Sequence, residues 1–211
     1  MSAEIPRFGI YRPLSQESAT RLGAVVKDAV QVLEEQYTDF SFRPVEDFRV
    51  ALAISLDIER QLSQPEASEF DLQQFKTRVQ RAVRPWETDN LTENYGSGQR
   101  SYLLAGSGNR ALYLRVPASR ELRTQRDWME ILFSSAGGGK LKMGRADNVP
   151  LLTIRDQETG AKATPAVREA AQSVLKAKLV AAKVRSLVFD RMVIGPSIHE
   201  PLPGTEWPPS S

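Results

Sequence analysis

The sequence has no cysteine and one histidine, His199. Without thiols there are no disulfides, no thiolate nucleophile and no Cys-based metal site. With His199 the single histidine, and in the Pro-rich tail, zinc sites built on two or more His and a Ser/His/Asp triad set in the core are close to excluded. No apolar run approaches the ~18 residues of a membrane span. The opening MSAEIPRFGIYRP has no apolar core and carries Glu4, which is unlike a secretory signal. These absences predict no metal, no cofactor, no membrane partner and a cytoplasmic or virion location.

What is present suits a folded chain. Hydrophobic residues make up 41% and charged residues 26% of 211 positions, ordinary values for a globular protein. The net charge of +2 hides a split. Residues 1–75 hold 7 Arg/Lys against 13 Asp/Glu, or −6, and residues 76–211 hold 21 against 13, or +8. Arg outnumbers Lys by 20 to 8, and Arg is the residue suited to forked contacts with carboxylate and phosphate.

The apolar spacing changes period along the chain. Ser15 precedes Leu22, Val25, Val26, Ala29, Val30, Leu33 and Tyr37 at helical spacing, which predicts a capped helix over 15–37. Phe48, Val50, Leu52, Ile54, Leu56 and Ile58 then occupy every second position. That predicts a strand over 48–58 with one buried face, a buried helix being the alternative. Ser68 and Asp71 resemble a capping box opening a helix over 68–84 that Pro85 stops. From Gly96 to Asp156, apolar bursts at 102–104, 112–114, 129–133 and 149–154 alternate with Gly- or Arg-rich connectors, the pattern of a strand meander. Thr164 and Pro165 open a last helix over 165–186, after which 187–194 either continues it or forms a strand. The expected architecture is α+β, a mostly antiparallel sheet covered by two or three helices. The domain spans 15–195, between an extended arm at 1–14 and a Pro-rich arm at 196–211.

The chemistry-bearing motifs are few. Gly-Ser-Gly-x-Arg occurs at 96–100 and again at 106–110, the second between two apolar bursts, where a hairpin loop fits. Ser134 to Lys140 resembles a phosphate loop, but Leu141 stands where Ser or Thr would bind magnesium. Arg100, Arg110, Arg120, Arg123, Lys140 and Lys142 form a candidate basic surface for RNA or DNA, with Tyr102, Tyr113 and Trp128 interleaved for stacking. Adjacent carboxylates such as Glu34/Glu35 and Glu46/Asp47 give no sign of perturbed acidity, so no catalytic residue is assigned.

The leading expectation is a non-catalytic structural subunit of a larger assembly, of the virion or phage-particle kind. It would contact copies of itself or other subunits through Phe8, Ile10 and Tyr11 at one end and Leu202 and Trp207 at the other. The alternative is a nucleic-acid-binding subunit of a ribonucleoprotein complex, taking RNA or single-stranded DNA. A second alternative is an enzyme with an Asp/Glu-based site assembled in space.

Overall fold

The computed structural model describes residues 8–54, 90–107, 111–117, 119–137 and 148–196, together with Thr77 and Arg81. The expected α+β architecture with antiparallel sheets is what it shows. Three α-helices are described: α1 (Gln16–Gln36), α2 (Arg120–Gly137) and α3 (Pro165–Ala181). The strands are β1 (Phe8–Pro13), β2 (Phe40–Pro44), β3 (Arg49–Ile54), β4 (Leu91–Asn94), β5 (Leu104–Ser107), β6 (Ala111–Arg115), β7 (Asn148–Asp156), β8 (Ser186–Phe189) and β9 (Val193–Pro196). They form antiparallel sheets in the orders β3-β1-β9 and β2-β7-β6-β5, with β4-β8 as a separate pair.

Each helix begins and ends for a local reason. Ser15 Oγ accepts the Ser18 N–H and caps α1, and Thr164 Oγ1 accepts the Val167 N–H ahead of Pro165 at the start of α3. Helix α3 stops at Ala181, short of the expected residue 186. Lys183 takes φ +50°. Its N–H reaches Val180 O, and the Val184 N–H reaches Leu179 O. This paired closure consumes the last carbonyls of the helix, and Leu179 and Val184 are both fully buried beside it. The chain is then free to run as β8 and β9.

The alternation at 48–58 corresponds to β3, with Phe48, Val50 and Leu52 buried; residues beyond 54 lie outside the described ones. So does the expected helix over 68–84, apart from Thr77 and Arg81, and the Ser134–Lys140 motif from residue 138 onward. Two other expectations are corrected. The burst at 129–133 belongs to α2, not to a strand. The segment expected as an N-terminal arm contains β1, the middle strand of its sheet, hydrogen-bonded to β3 on one side and β9 on the other. Ile10 and Tyr11, proposed above as contacts to other subunits, are fully buried within their own chain. Phe8 pairs with Pro196. Leu202 and Trp207 lie outside the described residues.

The core is one continuous apolar cluster. It takes Leu22, Val26 and Leu33 from α1, Leu112 and Leu114 from β6, Leu152 and Ile154 from β7, and Ala171 and Leu175 from α3. Helices α1 and α3 pack together, tied by Lys178 Nζ to Asp28 Oδ2 at 2.8 Å and by Arg21 donating to the carbonyls of Ala182 and Lys183.

Candidate nucleic-acid interface

The two larger sheets meet where β3 approaches β7. The connector from β2 to β3 is stitched there, Val45 N–H donating to Leu151 O at 2.8 Å. Both strands are bulged at this level. Ile10 faces Ala53 while Tyr11 faces Ala51, leaving Leu52 as an extra residue on β3. Leu112 faces Leu152 while Tyr113 faces Pro150, leaving Leu151 extra on β7. Bulges bend a strand and re-aim its side chains, and they are common beside binding sites.

Val50 and Leu52 of β3, and Phe48 just ahead of it, go into the core, so Arg49 points to the other face. Tyr11 stands opposite Ala51 and lies on that face too. The Arg49 guanidinium sits 4.5 Å above the centroid of the buried Tyr11 ring, a cation–π contact that fixes its plane. Asp47 Oδ2 lies 3.0 Å from Arg49 Nε. The contact is an ion pair without hydrogen-bond alignment, since Nε is buried and has no acceptor in line.

On the second sheet, Arg43 of β2 faces Thr153 of β7, which faces Ala111 of β6. The residues alternating with the core on these strands are Arg43, Thr153, Arg155, Tyr113 and Arg115, all exposed or half-buried. Arg155 bridges to exposed Lys162, adding a further cation. Asp156 tightens the turn between them by accepting from the Thr159 N–H and hydroxyl and the Glu158 N–H, which hold its carboxyl below the usual range. Gly160, at φ +63°, supplies the left-handed residue that turn needs. This sheet face is basic, with one aromatic ring among the arginines.

The basic residues expected from the sequence fall elsewhere. Arg100 is exposed in a 3-10 turn (Gln99–Ser101) packed near α3. Arg120 and Arg123 are exposed on the first turns of α2, which packs near β3; Arg123 Nε donates to Ser119 O. Arg110, Lys140 and Lys142 lie outside the described residues. Of the interleaved aromatics, Tyr102 is core, its hydroxyl donating to Val184 O at 2.6 Å and its ring stacked on Tyr95 at 5.4 Å. Trp128 is exposed on α2. Sequence reasoning passed over Arg43, Arg49 and Arg155 because they lie in ordinary alternating strands, where a polar residue on the outer face carries no signal of its own.

Among the described residues no group of three Asp, Glu or His could hold a metal ion, and no helix is long and apolar enough to cross a membrane. Among the described residues the one deeply buried carboxylate is Glu93 of β4, which accepts the Ser119 N–H on both oxygens at 3.0 and 3.2 Å and so anchors the start of α2. Burial pushes its carboxyl above the ordinary value; the Ser119 hydrogen bonds pull the other way. A carboxyl raised in the folded state gives stability that is complete below the unfolded pKa and lost as pH rises through the folded one. Glu93→Gln keeps an acceptor for Ser119 and never ionises. Its stability relative to the parent is therefore expected to improve between pH 4 and pH 7.5, read from urea midpoints. A constant difference across that range would refute the assignment.

No family model and no curated protein matches the sequence. Solved structures do match. Usb1 of Kluyveromyces marxianus superimposes with a TM-score of 0.51 at 11% identity, over 90% of this chain and 93% of that one. This chain is similar in fold to Usb1. The structure of Kluyveromyces marxianus Usb1 with uridine monophosphate gives a TM-score of 0.52 at 11% identity, over 92% and 95% of the two chains. A conserved protein of unknown function from Agrobacterium tumefaciens str. C58 aligns at 0.47 with 10% identity, over 90% and 81%. The match to Usb1 corrects the expectation of a structural subunit of a virion or phage-type particle. The fold extends over nearly the whole chain of a protein solved with a nucleotide, and the apolar N-terminal segment that motivated the assembly idea is internal strand β1.

Proposed function

We propose that the protein binds RNA, with nucleotide phosphates held where β3 and β7 adjoin. The observation that carries the proposal is the likeness of fold to Usb1, which has been solved with uridine monophosphate. The chemistry at this junction supports it. Arg49 supplies charge for a phosphate at the junction, Arg43, Arg155 and Lys162 extend it along the outer face of the β2-β7-β6 sheet, and the half-buried Tyr113 ring on that face offers a stacking surface. These groups are guanidinium, ammonium, hydroxyl and phenol, which hold anions. Histidine, the commonest proton carrier near neutral pH, occurs once in the chain, at His199. The proposal is therefore recognition rather than turnover.

The test is fluorescence anisotropy with a short labelled oligouridine, alongside titration of uridine monophosphate. Binding is expected at low salt and should weaken steeply as salt rises, since each neutralised phosphate releases counterions. Arg49→Ala is expected to cost about tenfold in affinity, the worth of one charge-assisted hydrogen bond. Absence of binding at low salt, or binding indifferent to salt, would overturn the proposal. Conversion of the RNA to a product of different length would replace recognition with catalysis.

A further inference from the structure

We infer that Asp47 is a built-in competitor for the ligand's phosphate, occupying Arg49 in the free protein and giving way when a nucleotide phosphate binds. The inference rests on the RNA-binding proposal and deepens it by naming the anion-binding group and its regulator.

The two residues are unequal in their setting. The Arg49 side chain is 14% exposed and its plane is fixed on Tyr11; the Asp47 side chain is 57% exposed. One partner is held and the other is free to swing into solvent. The pair is also imperfect, because Arg49 Nε, buried and 3.0 Å from the carboxylate, has no acceptor in line. A guanidinium presents its donors as a planar fork that a phosphate monoester can meet with two oxygens at once. A carboxylate two residues away on the same chain meets this one out of line. A half-exposed ion pair of this kind contributes little stability, so displacing Asp47 costs little. The connector that carries it is pinned to β7 by Val45, so the carboxylate can leave without moving the strands.

The experiment is isothermal titration of uridine monophosphate, uridine and inorganic phosphate into the full chain and its variants. Asp47→Asn is expected to tighten uridine monophosphate about two- to fivefold, the worth of a partly exposed ion pair, and to leave uridine unchanged. Glu46→Gln removes the same charge one residue away without touching Arg49, and is expected to shift affinity less than about twofold. In an Arg49→Lys background, which keeps the charge and loses the fork, Asp47→Asn should give no gain. If the parent binds uridine monophosphate but Asp47→Asn leaves its affinity unaltered, or Glu46→Gln gives an equal gain, the competitor role is wrong and RNA binding stands. If neither the parent nor Asp47→Asn binds the nucleotide or oligouridine, the RNA-binding proposal itself falls. Binding by Asp47→Asn alone would support both.

Discussion

Arg12→Ala is expected to lower the free energy of unfolding by about 3–5 kcal/mol, combining a cavity with stranded acceptors. Arg12 is fully buried in the middle strand β1. Its Nε donates to Gln125 Oε1 of α2 at 2.8 Å, and Nη1 donates to the Asp190 carbonyl at 2.9 Å, in the turn between β8 and β9. Gln125 is itself fully buried, with its amide near Glu121. One side chain thus ties the central strand to a helix and to the strand pair that closes the chain. Alanine leaves two acceptors without donors and a void the length of the side chain. Arg12→Met refills most of the volume and removes the cost of burying a charge, so its loss should be about half as large. Urea unfolding followed by circular dichroism separates the three proteins. A loss of under about 1 kcal/mol for Arg12→Ala would show that the network contributes no more than ordinary packing does.

Leu152→Ala should cost nearly as much, about 3–4 kcal/mol, by the usual penalty for truncating a fully enclosed leucine. Leu152 has no exposed surface and stands between Pro44 of β2 and Leu112 of β6. Strands lie on both sides of it, so the backbone has little freedom to collapse into the space, and the cavity term should be near its maximum. Arg155→Ala on the same strand is the matched comparison, expected within about 0.5 kcal/mol because its side chain faces water. The contrast tests the alternation of β7 directly. Equal losses at both positions would mean the assigned inner and outer faces are wrong.

The legible parts of this fold were those whose burial is one-sided. Helix α1 puts apolar residues on one face and charge on the other, strand β3 sets Val50 and Leu52 inward with Arg49 opposite, and each follows its spacing. Strand β1 was opaque because both of its faces are covered: Ile10, Tyr11 and Arg12 are all fully buried, so no alternation survives in the sequence. Helix α2 was misread for a related reason. Its inward positions Leu122, Gln125 and Met129 follow helical spacing, but one of the three is an amide, while Trp128 and Ile131 face solvent. The apolar burst therefore sits partly on the wet side and resembles a strand. Arginine on the outer face of a strand is the commonest of surface residues, so the Arg49–Tyr11 pair emerges only from the pairing of β1 with β3. The excess of basic charge after residue 75 pointed toward nucleic acid, yet Arg43 and Arg49 lie in the acidic first third.

The position of β1 also dictates an order of events during synthesis. Its first partner, β3, leaves the ribosome some 40 residues after it, but its second, β9, is among the last described segments of the chain to emerge. Until β9 arrives, a β1–β3 pair, once formed across α1 and β2, has one open row of amides and carbonyls, the kind of edge that recruits strands from other molecules. Completion of this sheet is thus a late, long-range ring closure. The speed at which β9 docks, rather than the stability of the finished fold, sets how long the growing chain is exposed to mispairing.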